Sequence, residues 1–198
     1  MINLLLEHRA EIDARQDYGM TPLDLCISFC RPDGVQALLD AGASCARSDQ
    51  GLSPLHAAAV FHAGVDIIES LLRARACPNS TYHPRSGSLM YYICLSAGLP
   101  YLLGSRGVLS TVGYHVWGAT PLMLATLSGA WPEARLLLEC RADANARNGR
   151  GATASSLASF VKDEIDVDWL RIAFDSSFAT LGKEPFTRNR ERPRRAPS

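Results

Sequence analysis

The sequence predicts an all-α fold, a solenoid of stacked helix-turn-helix units joined by short hairpin turns, and two periodicities predict it. Thr21-Pro22-Leu23, Ser53-Pro54-Leu55 and Thr120-Pro121-Leu122 recur in one frame, with Thr153-Ala154 as a weaker fourth copy, at intervals of 32, 67 and 33 residues. Ala10, Ala43, Ala76 and Ala142 recur in a second frame at 33, 33 and 66 residues. A unit of about 33 residues cannot bury its own apolar face, so copies of it must stack.

Each copy is built to start a helix. The Thr or Ser hydroxyl accepts from the unpaired N–H groups of the first turn, and Pro follows at the position where its missing N–H costs nothing. Two residues before each cap stand Gly19, Gly51, Gly118 and Gly151, where a tight turn needs a positive φ. About 17 residues past each cap comes a second apolar stretch, Leu38-Leu39, Leu71-Leu72 and Leu137-Leu138, spaced to bury one helical face. The unit reads turn, helix, helix.

Gly51-Leu52-Ser53-Pro54-Leu55-His56-Ala57-Ala58-Ala59, followed by Leu71-Leu72 and Ala76-Cys77-Pro78-Asn79, resembles the ankyrin repeat, and Gly118 to Ala125 with Ala142-Asp143-Ala144-Asn145-Ala146 carries the resemblance again. The resemblance implies an ankyrin-repeat solenoid divided into a partial repeat at 1–15, repeats at 16–48, 49–81 and 115–147, and a degenerate C-terminal repeat with a capping helix at 148–181; charge and scarce apolar residues predict a disordered basic tail at 182–198. Two departures stand out. The family's Gly at the end of the second helix is replaced by Arg9, Arg75 and Arg141, with only Gly42 conforming; a side chain in left-handed geometry costs about 1 to 2 kcal/mol. The stretch 82–114 lacks Thr-Pro-Leu but has the length of one unit. A fixed stacking period favours a degenerate repeat there, with an insertion looping out between good repeats as the alternative.

Composition narrows the function classes. Acidic and basic residues are equal in number, at 20 each, which argues against a generally electrostatic partner. Lys183, Arg188, Arg190, Arg192, Arg194 and Arg195 concentrate positive charge in the tail; a solvated tail is the favoured reading, and a nuclear-localisation or anion-binding arm the alternative. The six cysteines fall at repeat positions that take small apolar residues, and the N-terminal residues lack the features of a secretory leader, so a reducing intracellular compartment is expected, cytoplasmic or, through the tail, nuclear. Asn79-Ser80-Thr81 fits a glycosylation sequon, but Asn79 also stands where the repeat takes Asn for its turn. Leu89 to Leu103, 15 residues long, is shorter than the roughly 20 that cross a bilayer; it reads as a buried helix or inserted hairpin.

Candidate chemistry is sparse. Cys26 and Cys30 have i, i+4 spacing for two metal ligands, but no second pair completes a tetrahedral site, and they read as core thiols. Asp163, Glu164, Asp166 and Asp168 resemble a calcium loop, yet Arg171 stands where the sharp-turn Gly belongs; they read as the wet face of a helix whose other side is Ile165, Trp169 and Ile172. His56 sits in the repeat motif, and the resemblance implies that it hydrogen-bonds the neighbouring turn. No other histidine has companions at a spacing that implies a triad, and no nucleophile elbow or phosphate-binding loop is present. No catalytic residue, cofactor or metal is therefore expected.

The resemblance implies an intracellular protein-protein interaction module, a scaffold binding an unidentified partner protein on the concave surface of turn tips and first helices. Carrying the family's variable positions onto this chain gives Asp17, Tyr18, Met20, Ser28 and Phe29, then Gln50, Leu52, Val60 and Phe61, then Val116, Trp117 and Ala119, then Gly149 and Arg150. Tyr, Trp and Arg dominate binding hot spots, which singles out Tyr18, Trp117 and Arg150. The expected binding surface is Asp17, Tyr18, Met20, Gln50, Leu52, Phe61, Trp117 and Arg150, on a monomer with no nucleic-acid or membrane partner. Because Met1 opens inside a unit, part of a longer array is the expected setting. Two alternatives stay open: a targeting segment of a larger enzyme, and attachment of the tail to nucleic acid or another anionic surface.

Overall fold

A computed structural model describes residues 2–16, 19–48, 51–87, 89–104 and 108–159. The segments 160–181 and 182–198, with the expected capping helix, the acidic cluster and the basic tail, lie outside the described residues. Ten helices and no strand occur among those described. Thr21 Oγ1 accepts the N–H of Asp24 at 3.2 Å, Thr120 Oγ1 that of Met123 at 3.4 Å, and Thr153 Oγ1 that of Ser156 at 3.3 Å. These caps start α2 (Pro22–Ser28), α8 (Pro121–Ser128) and α10 (Ala154–Ala158), and Ser53 starts α4 (Pro54–Val60). The second helices are α1 (Ile2–Glu7), α3 (Pro32–Asp40), α5 (Val65–Arg73) and α9 (Trp131–Glu139).

The first helices form one layer, α2 on α4, α4 on α8 and α8 on α10, while α1, α3, α5 and α9 stack in the same order as the other. Leu23, Ile27, Leu55, Ile67, Ile68, Leu71, Leu122, Leu137 and Leu157 are fully buried between them. The alanine periodicity has a backbone cause. Ala10, Ala43, Ala76 and Ala142 each donate an N–H to the carbonyl five residues back, on Leu5, Leu38, Leu71 and Leu137, at 2.9 to 3.0 Å. Such a bond closes a helix through a left-handed residue just before the donor. That residue is Gly42 (φ 90°) once, and Arg9 (62°), Arg75 (63°) and Arg141 (68°) otherwise.

The turns explain the stretch 82–114. Gln16, Ser48 and Asn148 each donate to the carbonyl four residues on, and Gly19, Gly51 and Gly151 donate back across three residues. Tyr82 takes the same part, but its N–H reaches Ala119 O at 2.8 Å and its carbonyl accepts from Gly118 at 2.7 Å. Those partners lie 37 and 36 residues away rather than four and three, so 33 residues are let into this one turn. They form α6 (Leu89–Leu102) and α7 (Val108–His115), which pack chiefly on each other, with α7 also against α8. A stacked degenerate repeat would separate α4 from α8; instead α4 and α8 are in direct contact. The segment is one period long, which is why the sequence period passes through it undisturbed.

Gly98 and Gly113 set the crossing of the hairpin. A Cβ on Gly113 would lie 2.7 Å from Gly98 N, and one on Gly98 would lie 3.0 Å from Gly113 C. The two backbones therefore touch, and Gly98 is the contact point of α6. No helix among the described residues is long and apolar enough to cross a membrane.

Candidate functional site

The sequence-derived surface divides into two parts. On the first two units, Met20 and Leu52 are half-buried at the turns, and Leu52 packs against the core. Phe29 and Phe61 occupy equivalent positions at the C-terminal ends of α2 and α4, and they are 73% and 44% exposed. Val60 is half-buried beside Phe61, and Ser28 spends its hydroxyl on Asp24 O at 2.8 Å. Asp17, Tyr18 and Gln50 lie outside the described residues.

On the later units the predicted residues make contacts within the molecule, while Gly149 and Arg150 stay exposed. Val116 and Ala119 are buried rather than surface-lining, because Ala119 O accepts from both Tyr82 N and His56 Nε2 and holds this segment down. Trp117 is half-buried and meets Tyr91 of α6 edge-on at 5.3 Å and 88°. The Arg150 guanidinium lies 4.3 Å over the ring of Tyr114 of α7. Behind it Tyr114 stacks on Tyr101 at 4.4 Å and 16°, and the Tyr101 hydroxyl is 3.3 Å from His115 Nε2. Asn148 Nδ2 donates to His115 O at 2.8 Å, and Gly149 N to Trp117 O at 2.7 Å. Sequence reasoning missed this aromatic join. No spacing in the sequence signals it, because the inserted segment is one repeat period long.

His56 is a buried, perturbed group at the heart of the stack. Its Nδ1 faces the Ser53 N–H at 3.4 Å and the Ser53 hydroxyl at 2.6 Å, and Nε2 faces Ala119 O at 3.1 Å. An N–H can only donate and a carbonyl can only accept, so the neutral ring carries its proton on Nε2. Burial pushes its pKa down to about 4. The contact ties α4 to the turn of the next stacked unit, the service the resemblance implies. Tyr82, against the same ring at 5.9 Å, has its phenol pushed up by burial and then by the adjacent Cys94. Asn79 performs a similar tie between units, donating to Arg141 O at 3.3 Å and accepting from Asp143 N at 2.7 Å. These side chains hold units together.

Comparison with known families agrees with this layout. A family model described as ankyrin repeats (three copies) matches residues 1–82, and a model of the single ankyrin repeat matches residues 117–149. The two stretches stop and resume at the ends of the opened turn, and together they take in more than half of the 198 residues. The chain belongs to the ankyrin-repeat family, whose repeats generally mediate protein-protein interaction. It is 42% identical over 78 residues to the neurogenic locus Notch protein of Drosophila melanogaster, a match that takes in 38% of this chain and spans 3% of that protein.

Proposed function

We propose that this chain is a non-enzymatic binding module whose partner protein sits on the turns and first helices of the first two units. The observation that carries this is the pair Phe29 and Phe61, large apolar side chains exposed in line on adjacent stacked helices. Nothing in the packing of either unit requires them outside, whereas an aromatic pair on a rigid, repeated frame is what a protein interface uses as an anchor. Met20 and Leu52, half-buried at the turns of the same two units, adjoin this pair in the proposed surface; Asp17, Tyr18 and Gln50, expected there from the sequence, lie outside the described residues. Trp117 and Arg150 remain at its far end, where their contacts with α6 and α7 reduce what they can offer a partner.

A partner captured from cell extract with the intact chain, then purified, provides the test. Phe29→Ala with Phe61→Ala is expected to weaken that partner by about 2 kcal/mol or more, roughly 30-fold, with the helical circular dichroism unchanged. Trp117→Ala with Arg150→Ala is expected to weaken it less. Full affinity in a folded Phe29 and Phe61 double variant would overturn the assignment. Loss of binding on removing only residues 183–198 would move the function to the basic tail.

A further inference from the structure

The helix α6 is apolar on both sides, and among the described residues only one side is packed. Tyr91, Cys94, Gly98 and Tyr101 face inward to Trp117, Tyr82, α7 and Tyr114. One residue further on, Tyr92, Leu95, Leu99 and Leu102 form a second stripe at the 3-4-3 spacing of a coiled-coil seam, and with Leu103 they are between 45% and 89% exposed. Helices apolar all round are ordinarily buried, and α6, at 14 residues, is shorter than a bilayer span. We propose that this stripe is a homodimer interface, with α6 of one copy packed antiparallel on α6 of a second copy of this chain about a twofold axis.

Area, charge and symmetry select this occupant. Five large, mostly exposed apolar side chains offer about 600 Å² from one copy, already at the upper end of the patches that monomers leave open. Two copies bury about 1,200 Å², which clears the roughly 1,000 Å² that a stable interface needs. Residues 89–104 contain no Asp, Glu, Lys or Arg. The seam therefore lacks the flanking charges by which coiled coils choose a different partner or reject their own copy. An antiparallel twofold pairing sets Leu95 of one copy against Leu99 of the other, and the closed symmetry halts assembly at two. This departs from the monomer expected from the sequence, and it does not depend on the Phe29 and Phe61 surface.

Sedimentation equilibrium of the full chain tests it. The expected mass at tens of micromolar is twice the 21.5 kDa of one chain, and Leu95→Glu with Leu99→Glu is expected to return it to one chain with the helical signal kept. Mixing that variant with Leu95→Lys, Leu99→Lys protein is expected to restore the dimer, because opposite charges then meet across the axis. A parent chain that stays monomeric at hundreds of micromolar overturns the proposal without recourse to any variant, as does a folded double-Glu variant that remains dimeric. Flotation of a monomeric parent with neutral phosphatidylcholine vesicles, abolished by the same substitutions, would overturn it in favour of a membrane-surface contact.

Discussion

Two turns of this molecule do the same work with very different lengths of chain. Between α3 and α4, Ser48 closes on Gly51 and Leu52 within four residues; between α5 and α8, Tyr82 closes on Gly118 and Ala119 across 37. Both place one first helix directly on the next. The stack is thus specified by what each unit presents to its neighbour, chiefly the buried leucines and the His56 tie, and the connection need only let the ends meet. Closing the longer turn costs about 2 kcal/mol more in chain entropy, a little over 0.5 kcal/mol for each doubling of length.

The most direct way to break that comparison is to remove what both junctions share. Leu71 and Leu137 are each fully buried in adjacent stacked helices, one on either side of the opened turn. Leu71→Ala and Leu137→Ala are each expected to cost about 2 to 5 kcal/mol, since the unit on which a repeat rests supplies much of its burial. Chemical denaturation checks both. An unchanged midpoint in either would mean that the long junction does not couple its two units.

His56 tests the same junction by pH. Its folded pKa, about 4, lies below the ordinary 6.5, so between those values the unfolded chain binds the extra proton. The stability from neutral His56 is complete above about pH 6.5 and falls away as pH drops toward 4, by about 3 kcal/mol in all. Asp24, raised by burial, acts in the opposite sense as its carboxyl takes up a proton. Comparing the parent with His56→Gln at each pH cancels that contribution. The parent is expected to lose stability more steeply on acidification; equal slopes would remove His56 as a tie between units.

Deleting residues 83–115 sharpens the comparison further. It leaves Tyr82-Val116-Trp117-Gly118, the two-residue spacing of the other turns. The shortened chain is expected to keep one cooperative helical melt within about 2 kcal/mol of the parent. Loss of cooperativity would show that the hairpin, and not the stack alone, holds α8 on α4.

What the sequence makes legible follows from how local each feature is. Thr21, Thr120 and Thr153 act on backbone groups within three residues, and the alanine register on a carbonyl five residues back, so the helices, their caps and their closing residues can be read from spacing. The opened turn depends on a contact between Tyr82 and Ala119, and its length equals the repeat period; nothing local distinguishes such an insert from a worn repeat. The contacts of Trp117 and Arg150 are hidden from the sequence for the same reason: their positions in the repeat are surface positions, and the approach of Tyr91 and Tyr114 to them is non-local. His56 was legible because its partner lies in the adjoining unit of the stack, a contact that the repeat resemblance implies.

The smallest expected effect concerns the closing residue of α9. Arg141 adopts φ 68° beside the Asn79 tie, where Gly42 plays the same part without a side chain at φ 90°. Replacing Arg141 by Gly relieves about 1 to 2 kcal/mol of left-handed strain and returns somewhat less than 1 kcal/mol to the greater freedom of glycine in the unfolded chain. The bonds from the Ala142 N–H to Leu137 O and from the Asp143 N–H to Asn79 Oδ1 involve no side-chain atom of Arg141 and persist. Arg141→Gly is therefore expected to stabilise by up to about 1 kcal/mol, and Arg75→Gly, at φ 63° on the other side of the opened turn, by a similar amount. Thermal denaturation with both single variants and the pair would measure it. Destabilisation in either would mean that the arginine side chain contributes more at that helix end than its backbone strain costs.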